Sequence, residues 1–132
     1  YTDDIRRALW EKFVFLVAMS GATCLARQPI GAVRADAELR AVLAASMRET
    51  VAVAAAQGVV FDEKFVERQM AFVDGLPAQM RSSMLNDLLA GNRLEAPWLA
   101  GAVARMAAAA GLPAPVNSTI YAALKPYLGG AR

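Results

Sequence analysis

The stretch SSMLNDLLAGNRLE, from Ser82 to Glu95, shows the pattern on which the whole chain is built. Two hydroxyl residues precede a short apolar run, Gly91 follows that run, and a carboxylate then enters the next apolar segment. Serine favours the start of a helix, and glycine favours its end because it readily adopts left-handed backbone angles. The stretch therefore predicts a capped helix, a turn and a second helix that carries Glu95 in its first turn.

The rest of the chain has the same helical character. Apolar residues recur at intervals of three and four, and no segment alternates as a strand does, so we expect an all-α fold of about six helices. The predicted helices span 3–26, 37–57, 63–73, a short run in the opening stretch that Gly91 ends, 94–110, and 117 or 118 to about 127. Asp36 and Asp62 are the predicted N-caps of the second and third helices, and the final LGGAR is expected to fray.

The composition limits the classes of function. Hydrophobic residues make up 57% of the chain and charged residues 20%, which indicates that a partner covers part of the apolar surface. The charge-free run 13–26 in the first predicted helix is shorter than the roughly 18 to 20 apolar residues of a bilayer crossing, so we expect no transmembrane helix. Asp3, Asp4 and Glu11 stand where a signal peptide would be basic, so we expect no signal peptide. Fourteen basic and twelve acidic residues are mixed along the chain, a distribution that predicts no nucleic-acid partner.

The residue types that are missing exclude further chemistry. The chain has one cysteine, Cys24, and no histidine, which rules out an internal disulfide, a Ser-His-Asp triad and a histidine-based metal site. Cys24 lies at a helical core position, so we expect a buried thiol, a reducing cytoplasmic location and no metal. The chain also contains no G-x-G-x-x-G loop for a dinucleotide. Because it starts at Tyr1 rather than methionine, we expect it to be a piece of a longer protein.

Three polar residues are candidates for function. The predicted apolar face of the first helix contains Ile5, Leu9, Phe13, Leu16, Val17 and Ser20. Lys12 lies on or beside this face, where a lysine is costly unless its ammonium reaches water, an acid or an anion. The ordinary interpretation is a lysine at the rim of the core, with Glu95 in a capping role and Ser83 as an N-cap or first-turn residue of its helix. If the three converged on one pocket, they would instead suit a keto or hydroxy acid.

The chain resembles a known family. LWEKFVFLVAMSGAT at 9–23 and SSMLNDLLAGNRLEAPWLAGAVARMAAAAGLPAPVNSTIYAALK at 82–125 are similar to the C-terminal helical domain of the ketopantoate (2-dehydropantoate 2-) reductases. The resemblance implies a bundle like the C-terminal domain of 6-phosphogluconate dehydrogenase over residues 1–132. It also implies an N-terminal Rossmann domain, outside this chain, that holds most of the NADP. The family reduces a small 2-oxo acid with NADPH, and a homodimer is compatible with it.

Site residues follow from the same resemblance. Lys12 matches the catalytic general acid, Glu95 a catalytic residue that bonds to substrate and cofactor, and Ser83 a substrate-binding serine. At positions where well-known members carry asparagine, this chain has Leu16, Ser20, Ile30 and Met80. Of these four residues only Ser20 has a polar side chain, and we expect its hydroxyl to bind the substrate. The substrate is therefore expected to be 2-dehydropantoate or a more apolar 2-oxo compound, and the isolated chain is expected to be inactive.

Two other interpretations stay open. The chain would also suit a helical dimerisation or interaction module without catalysis, in which Lys12 and Glu95 are ordinary rim residues. Another member of the 6-phosphogluconate-dehydrogenase-like group is the third possibility, although the order of residues from Ser82 to Tyr121 fits ketopantoate reductase better.

Overall fold

The computed structural model describes residues 2–130, and their side chains from Asp4 onward. It contains seven α-helices and two 3-10 turns, and the described residues form no strand, which confirms the all-α prediction. The helices are α1 Thr2–Ala26, α2 Ile30–Ala35, α3 Ala37–Ala56, α4 Phe65–Asp74, α5 Ser83–Ala90, α6 Ala100–Ala110 and α7 Pro115–Leu124. The 3-10 turns are Ala96–Trp98 and Lys125–Tyr127.

Helix α1 is the central element. It supplies Val14 to one buried apolar cluster, Cys24 to a second and Val17 to a third, and it packs against α3, α5 and α7. The segment Asp4–Ala26 is long and apolar enough to cross a membrane by length and composition alone, but half of its most apolar window is buried in the bundle. The core therefore accounts for much of its apolar character.

The predicted apolar face of α1 is only partly correct. Ser20 and Val17 are buried, but Ile5 is 54% exposed, Leu9 62% and Leu16 38%. The middle of α1 carries apolar side chains on nearly all of its faces. The sequence pattern therefore did not distinguish the buried face from the exposed one. The face that remains outside is apolar too.

Several helix ends follow the local signals. The Asp36 carboxylate accepts from the Leu39 amide at 2.9 Å and caps α3 as predicted. Gly91 and Gly111 adopt left-handed angles and end α5 and α6. The predicted Asp62 cap is wrong: its carboxylate pairs with Arg68 at 2.7 Å, which lowers the pKa of Asp62, and α4 begins only at Phe65.

Long-range bonds override the local signals elsewhere. Helix α2 was not predicted; its first two amides, Ile30 and Gly31, donate to the carbonyls of Met80 and Ala78 at 2.9 and 2.8 Å. These bonds attach the 78–80 loop to the start of α2. A β-carbon at Gly31 would lie 2.7 Å from the Ala78 carbonyl oxygen, so the contact needs glycine.

Helix α6 also begins later than expected. The Leu94 amide donates to the Leu128 carbonyl at 3.1 Å, and the chain then forms the 3-10 turn, with Pro97 in it, before α6 starts at Ala100. The predicted helical position of Glu95 is therefore wrong, since Glu95 precedes the 3-10 turn. The same bond holds the C-terminal segment, and Gly130 is buried, so the expectation of fraying is wrong for 128–130; Ala131 and Arg132 lie outside the described residues.

Helix α7 begins at Pro115 rather than at Asn117 or Ser118, because its cap comes from another helix. Glu49 of α3 accepts from the amides of Val116 and Asn117 at 2.8 and 2.9 Å and from the Asn117 side chain at 2.9 Å. Ser46 donates to the Asn117 side-chain oxygen at 2.9 Å. Asn117 is thus a fully buried link between α3 and α7.

Candidate functional site

Lys12, Leu16 and Ser20 lie at intervals of one helical turn along one face of α1. Lys12 and Leu16 are exposed, whereas Ser20 is 5% exposed because the face passes under neighbouring elements at that point. With a rise of about 1.5 Å per residue, Lys12 and Ser20 are about 12 Å apart along the axis. Ile5 and Leu9 extend the exposed face in the other direction, so that Lys12 stands among large apolar side chains. We call Ile5, Leu9, Lys12 and Leu16 the outer face of α1.

The far end of this face meets the start of α5. Thr23 lies three residues after Ser20, and its hydroxyl oxygen is 2.7 Å from the Met19 carbonyl, which can only accept. The Thr23 proton is therefore used there, and the Ser82 hydroxyl, 2.7 Å away, donates to Thr23. Ser82 in turn accepts from the Leu85 amide at 3.0 Å. This chain of bonds joins α5 to α1.

Ser82, not Ser83, is therefore the N-cap of α5. Ser83 is the first helical residue and is exposed beside this anchored end. Sequence reasoning chose Ser83 and did not find Thr23 or the role of Ser82. The two consecutive serines were the signal that could have shown this division. A helix needs only one hydroxyl for its N-cap, so the second serine is free for a different contact.

Cys24 lies against the same anchor. Burial raises the pKa of its thiol to about 12. A thiol of this kind stays protonated near neutral pH and is a poor nucleophile. The prediction of a buried, structural cysteine is confirmed.

Glu95 is exposed between two buried neighbours. Leu94 is 5% exposed and Ala96 0%, and both lie in the cluster that also contains Cys24. The Glu95 carbonyl accepts from the Trp98 amide at 2.9 Å and closes the 3-10 turn. The backbone under Glu95 is thus fixed by packing while its carboxylate reaches solvent. Trp98, at the end of the same turn, is 65% exposed.

Lys12 also borders a surface depression with a volume of about 830 Å³. Its apolar walls are Phe15, Phe61, Phe65 and Phe72, and its charged rim includes Arg7 and Glu11. Ser20, Ser83 and Glu95 do not line this depression. Lys12 and Ser20 therefore share one face of α1, but the four predicted residues do not together line this depression.

The four positions at which the resemblance led us to expect asparagine separate into two groups. Ile30 is fully buried in the first core cluster and Ser20 is nearly so, whereas Leu16 and Met80 are each 38% exposed. Buried Ile30 belongs to the core and has no surface to offer a ligand. Of the three apolar positions, only Leu16 and Met80 can line a ligand surface.

Comparisons with known proteins agree with this fold. Residues 4–128 match the family model described as ketopantoate reductase PanE/ApbA C terminal. A 2-dehydropantoate 2-reductase from Halobacterium salinarum is 37% identical over 119 residues, which cover 90% of this chain and 39% of that protein. The uncharacterized oxidoreductase YkpB from Bacillus subtilis is 31% identical over 123 residues, covering 93% and 41%.

A solved structure adds the same relationship in three dimensions. The dimeric ketopantoate reductase from Staphylococcus aureus superposes with a TM-score of 0.88 at 29% identity, covering 94% of this chain and 43% of that one. The chain spans about two fifths of the length of the curated relatives that it matches. Because the family model covers nearly all of the described residues, the chain belongs to the family of ketopantoate reductase C-terminal domains.

Proposed function

We propose that this chain is the substrate-binding and catalytic helical domain of an NADPH-dependent 2-oxo acid reductase whose Rossmann domain lies outside it. Membership of an oxidoreductase family and the coverage of two fifths of its relatives support this assignment. So does the outer face of α1, because a face that leaves Ile5 and Leu9 more than half exposed is typical of a surface covered by a further domain.

The observation that carries the proposal is the setting of Lys12. It is the one charged residue of the outer face, and no ion pair among residues 4–130 involves it. The family resemblance gives a lysine at this position the role of general acid. An exposed ammonium on this face can reach the carbonyl oxygen of a substrate bound against it and donate a proton to that oxygen.

The proposed reaction reduces a ketone to an alcohol. NADPH, when bound, would supply the hydride that reduces the carbonyl carbon. Lys12 donates the proton to the carbonyl oxygen, and Ser83 binds the carboxylate of the substrate. The Ser20 hydroxyl, which is only slightly exposed, also binds the substrate. The exposed Glu95 carboxylate can accept hydrogen bonds from substrate and ribose hydroxyls, which fits its family role toward NADP. Helices alone offer no phosphate-binding loop, so most of the cofactor contacts are assigned to the Rossmann domain.

The substrate is 2-dehydropantoate or a more apolar 2-oxo acid. The family name favours the first, and the exposed apolar groups at Leu16 and Met80 favour the second. A homodimer, known for the Staphylococcus aureus protein, is compatible with both.

Replacing the proposed acid tests the function. In the full-length protein, Lys12→Ala should lower kcat for the best 2-oxo acid by about 100-fold or more, the usual contribution of general acid catalysis. Steady-state NADPH oxidation measures the effect. Lys64→Ala is the matched control, because Lys64 is an exposed lysine paired only weakly with Glu67 at 3.6 Å. A loss of less than threefold for Lys12→Ala would exclude the general-acid role.

An interaction module without catalysis is the second candidate, favoured by the exposure of Ile5 and Leu9. Calorimetric titration of the full-length protein with NADPH distinguishes the two. The reductase should bind NADPH while residues 1–132 alone do not, whereas an interaction module should show no binding in either form.

A further inference from the structure

We infer that Trp98 is a cofactor-binding residue whose indole ring packs against the nicotinamide riboside half of NADPH. The inference rests on the proposed function and deepens it, because that function assigns Glu95 to the substrate and to a ribose of the cofactor. Its structural basis is the 3-10 turn Ala96–Trp98, which Glu95 immediately precedes.

The 3-10 turn places the side chains of Glu95 and Trp98 on the same side of the backbone. A 3-10 helix has three residues per turn, so residues three apart are aligned, about 6 Å from each other along the axis. The Trp98 amide donates to the Glu95 carbonyl at 2.9 Å and closes this turn. Burial follows the same period. Ala96 is fully buried and Leu99 packs against two apolar clusters, whereas Glu95 and Trp98 are both exposed.

The backbone beneath Trp98 is held in place. The Arg105 guanidinium donates to the Pro97 carbonyl at 2.7 Å, the proline ring restricts the backbone of the turn, and α6 starts directly after it. The 65% exposure of Trp98 therefore belongs to a fixed turn and not to a loose loop. An aromatic ring presented on such a backbone loses little conformational freedom when a ligand covers it.

The proposed chemistry determines which part of NADPH meets this side of the turn. Hydride transfer requires the nicotinamide ring to lie against the carbonyl of the substrate. A carboxylate that reaches both the substrate and a ribose hydroxyl, as proposed for Glu95, must therefore lie beside the ribose that carries the nicotinamide. Trp98 is one 3-10 turn away and within reach of the same riboside. The adenine end of the cofactor is assigned to the Rossmann domain.

An indole suits this position chemically. Trp98 offers a flat apolar surface to the sugar and the dihydronicotinamide ring, while Glu95 beside it offers acceptors to the hydroxyls. Replacing an aromatic side chain that stacks on a base by alanine typically weakens binding on the order of 10- to 100-fold. A phenylalanine retains a stacking ring and should retain most of the affinity.

Calorimetric titration of the full-length protein with NADPH provides the first test. Trp98→Ala should raise the Kd by about tenfold or more, and Trp98→Phe should keep it within about threefold of the wild type. Phe72→Ala is the matched control, because Phe72 is an aromatic residue that is 57% exposed on α4, and it should leave the Kd within about twofold. Circular dichroism confirms that each variant is folded.

Reduced nicotinamide mononucleotide identifies the half of the cofactor that Trp98 contacts. This molecule contains the nicotinamide riboside without the adenosine. With it as the hydride donor, Trp98→Ala should lower kcat/KM by about tenfold or more, as with NADPH. A loss that occurs with NADPH but not with the mononucleotide would place the indole at the adenosine half and overturn the inference.

The melting temperature without cofactor separates a cofactor contact from a contact between domains. If the indole packs against NADPH, Trp98→Ala should leave the melting temperature of the cofactor-free full-length protein within about 2 °C of the wild type. NADPH should then raise the melting temperature of the variant less than that of the wild type. A larger decrease in the absence of NADPH would assign the indole to the Rossmann domain and overturn the inference.

The outcomes also separate the inference from the function on which it rests. If the wild type binds NADPH and Trp98→Ala binds it equally well, the inference fails and the proposed function stands. If the wild-type full-length protein does not bind NADPH, both fail.

Discussion

At the junction between α3 and α7, the polar side chains of Ser46, Glu49 and Asn117 bond to one another and to backbone groups of the same chain. On the outer face of α1, by contrast, Lys12 is exposed among apolar side chains and forms no ion pair with residues 4–130. A polar group whose bonds are complete inside the chain stabilises the fold. A polar group that has no hydrogen-bond or ion-pair partner inside the chain is available to bind a ligand or another domain.

The largest effect on stability is expected at the junction. Glu49→Ala removes three hydrogen bonds and leaves the first amides of α7 without an acceptor, because Ala114, the N-cap residue of that helix, has no side-chain acceptor to replace the carboxylate. The loss of such a charged cap should lower the free energy of unfolding by about 2 to 3 kcal/mol. Urea denaturation followed by circular dichroism measures it.

The control for this change is another glutamate. Glu67 is exposed and pairs with Lys64 at 3.6 Å, so Glu67→Ala should change the free energy of unfolding by less than about 0.5 kcal/mol. Equal effects of the two substitutions would mean that the junction contributes no more than an ordinary surface pair.

Ser82 and Ser83 allow the same comparison, between a hydroxyl bonded inside the chain and an exposed one, at two neighbouring residues. Ser82→Ala removes the cap of α5 and the donor to Thr23, and should cost about 1 to 2 kcal/mol. Ser83→Ala removes an exposed hydroxyl and should cost less than about 0.5 kcal/mol, while raising KM for the 2-oxo acid in the full-length enzyme. Unfolding curves and steady-state kinetics on both variants test the division. If Ser82→Ala raised KM and Ser83→Ala lowered the free energy of unfolding instead, the substrate contact would belong to Ser82.

The sequence was sufficient where the physical cause is local. Helical periodicity predicts most of the helices, and Asp36, Gly91 and Gly111 mark three of their ends by capping and by left-handed angles. The spacing of Lys12 and Ser20 likewise places both on one face of α1. These features depend only on residues within a turn or two of each other.

The remainder depends on contacts between distant segments. Helix α2 and the late start of α6 depend on bonds from Ile30 to Met80 and from Leu94 to Leu128. The cap of α7 comes from Glu49, more than sixty residues earlier. At the site, only packing shows that Ile30 is buried while Leu16 is exposed, because both look like core residues in the sequence. The division between core and ligand surface is therefore a property of the tertiary structure.

The smallest effect on stability should come from the residue with the largest proposed effect on turnover. Lys12 is exposed and has no ion pair within the described side chains, so Lys12→Ala should change the free energy of unfolding of residues 1–132 by less than about 0.5 kcal/mol. Urea denaturation provides the measurement, and Lys64→Ala is again the reference. A loss above about 1 kcal/mol would show that the Lys12 stem packs along the apolar face as a rim residue of the core. A change near zero, together with a large loss of turnover in the full-length enzyme, would mean that this lysine has its partners outside the chain, in the substrate and the domain that covers it.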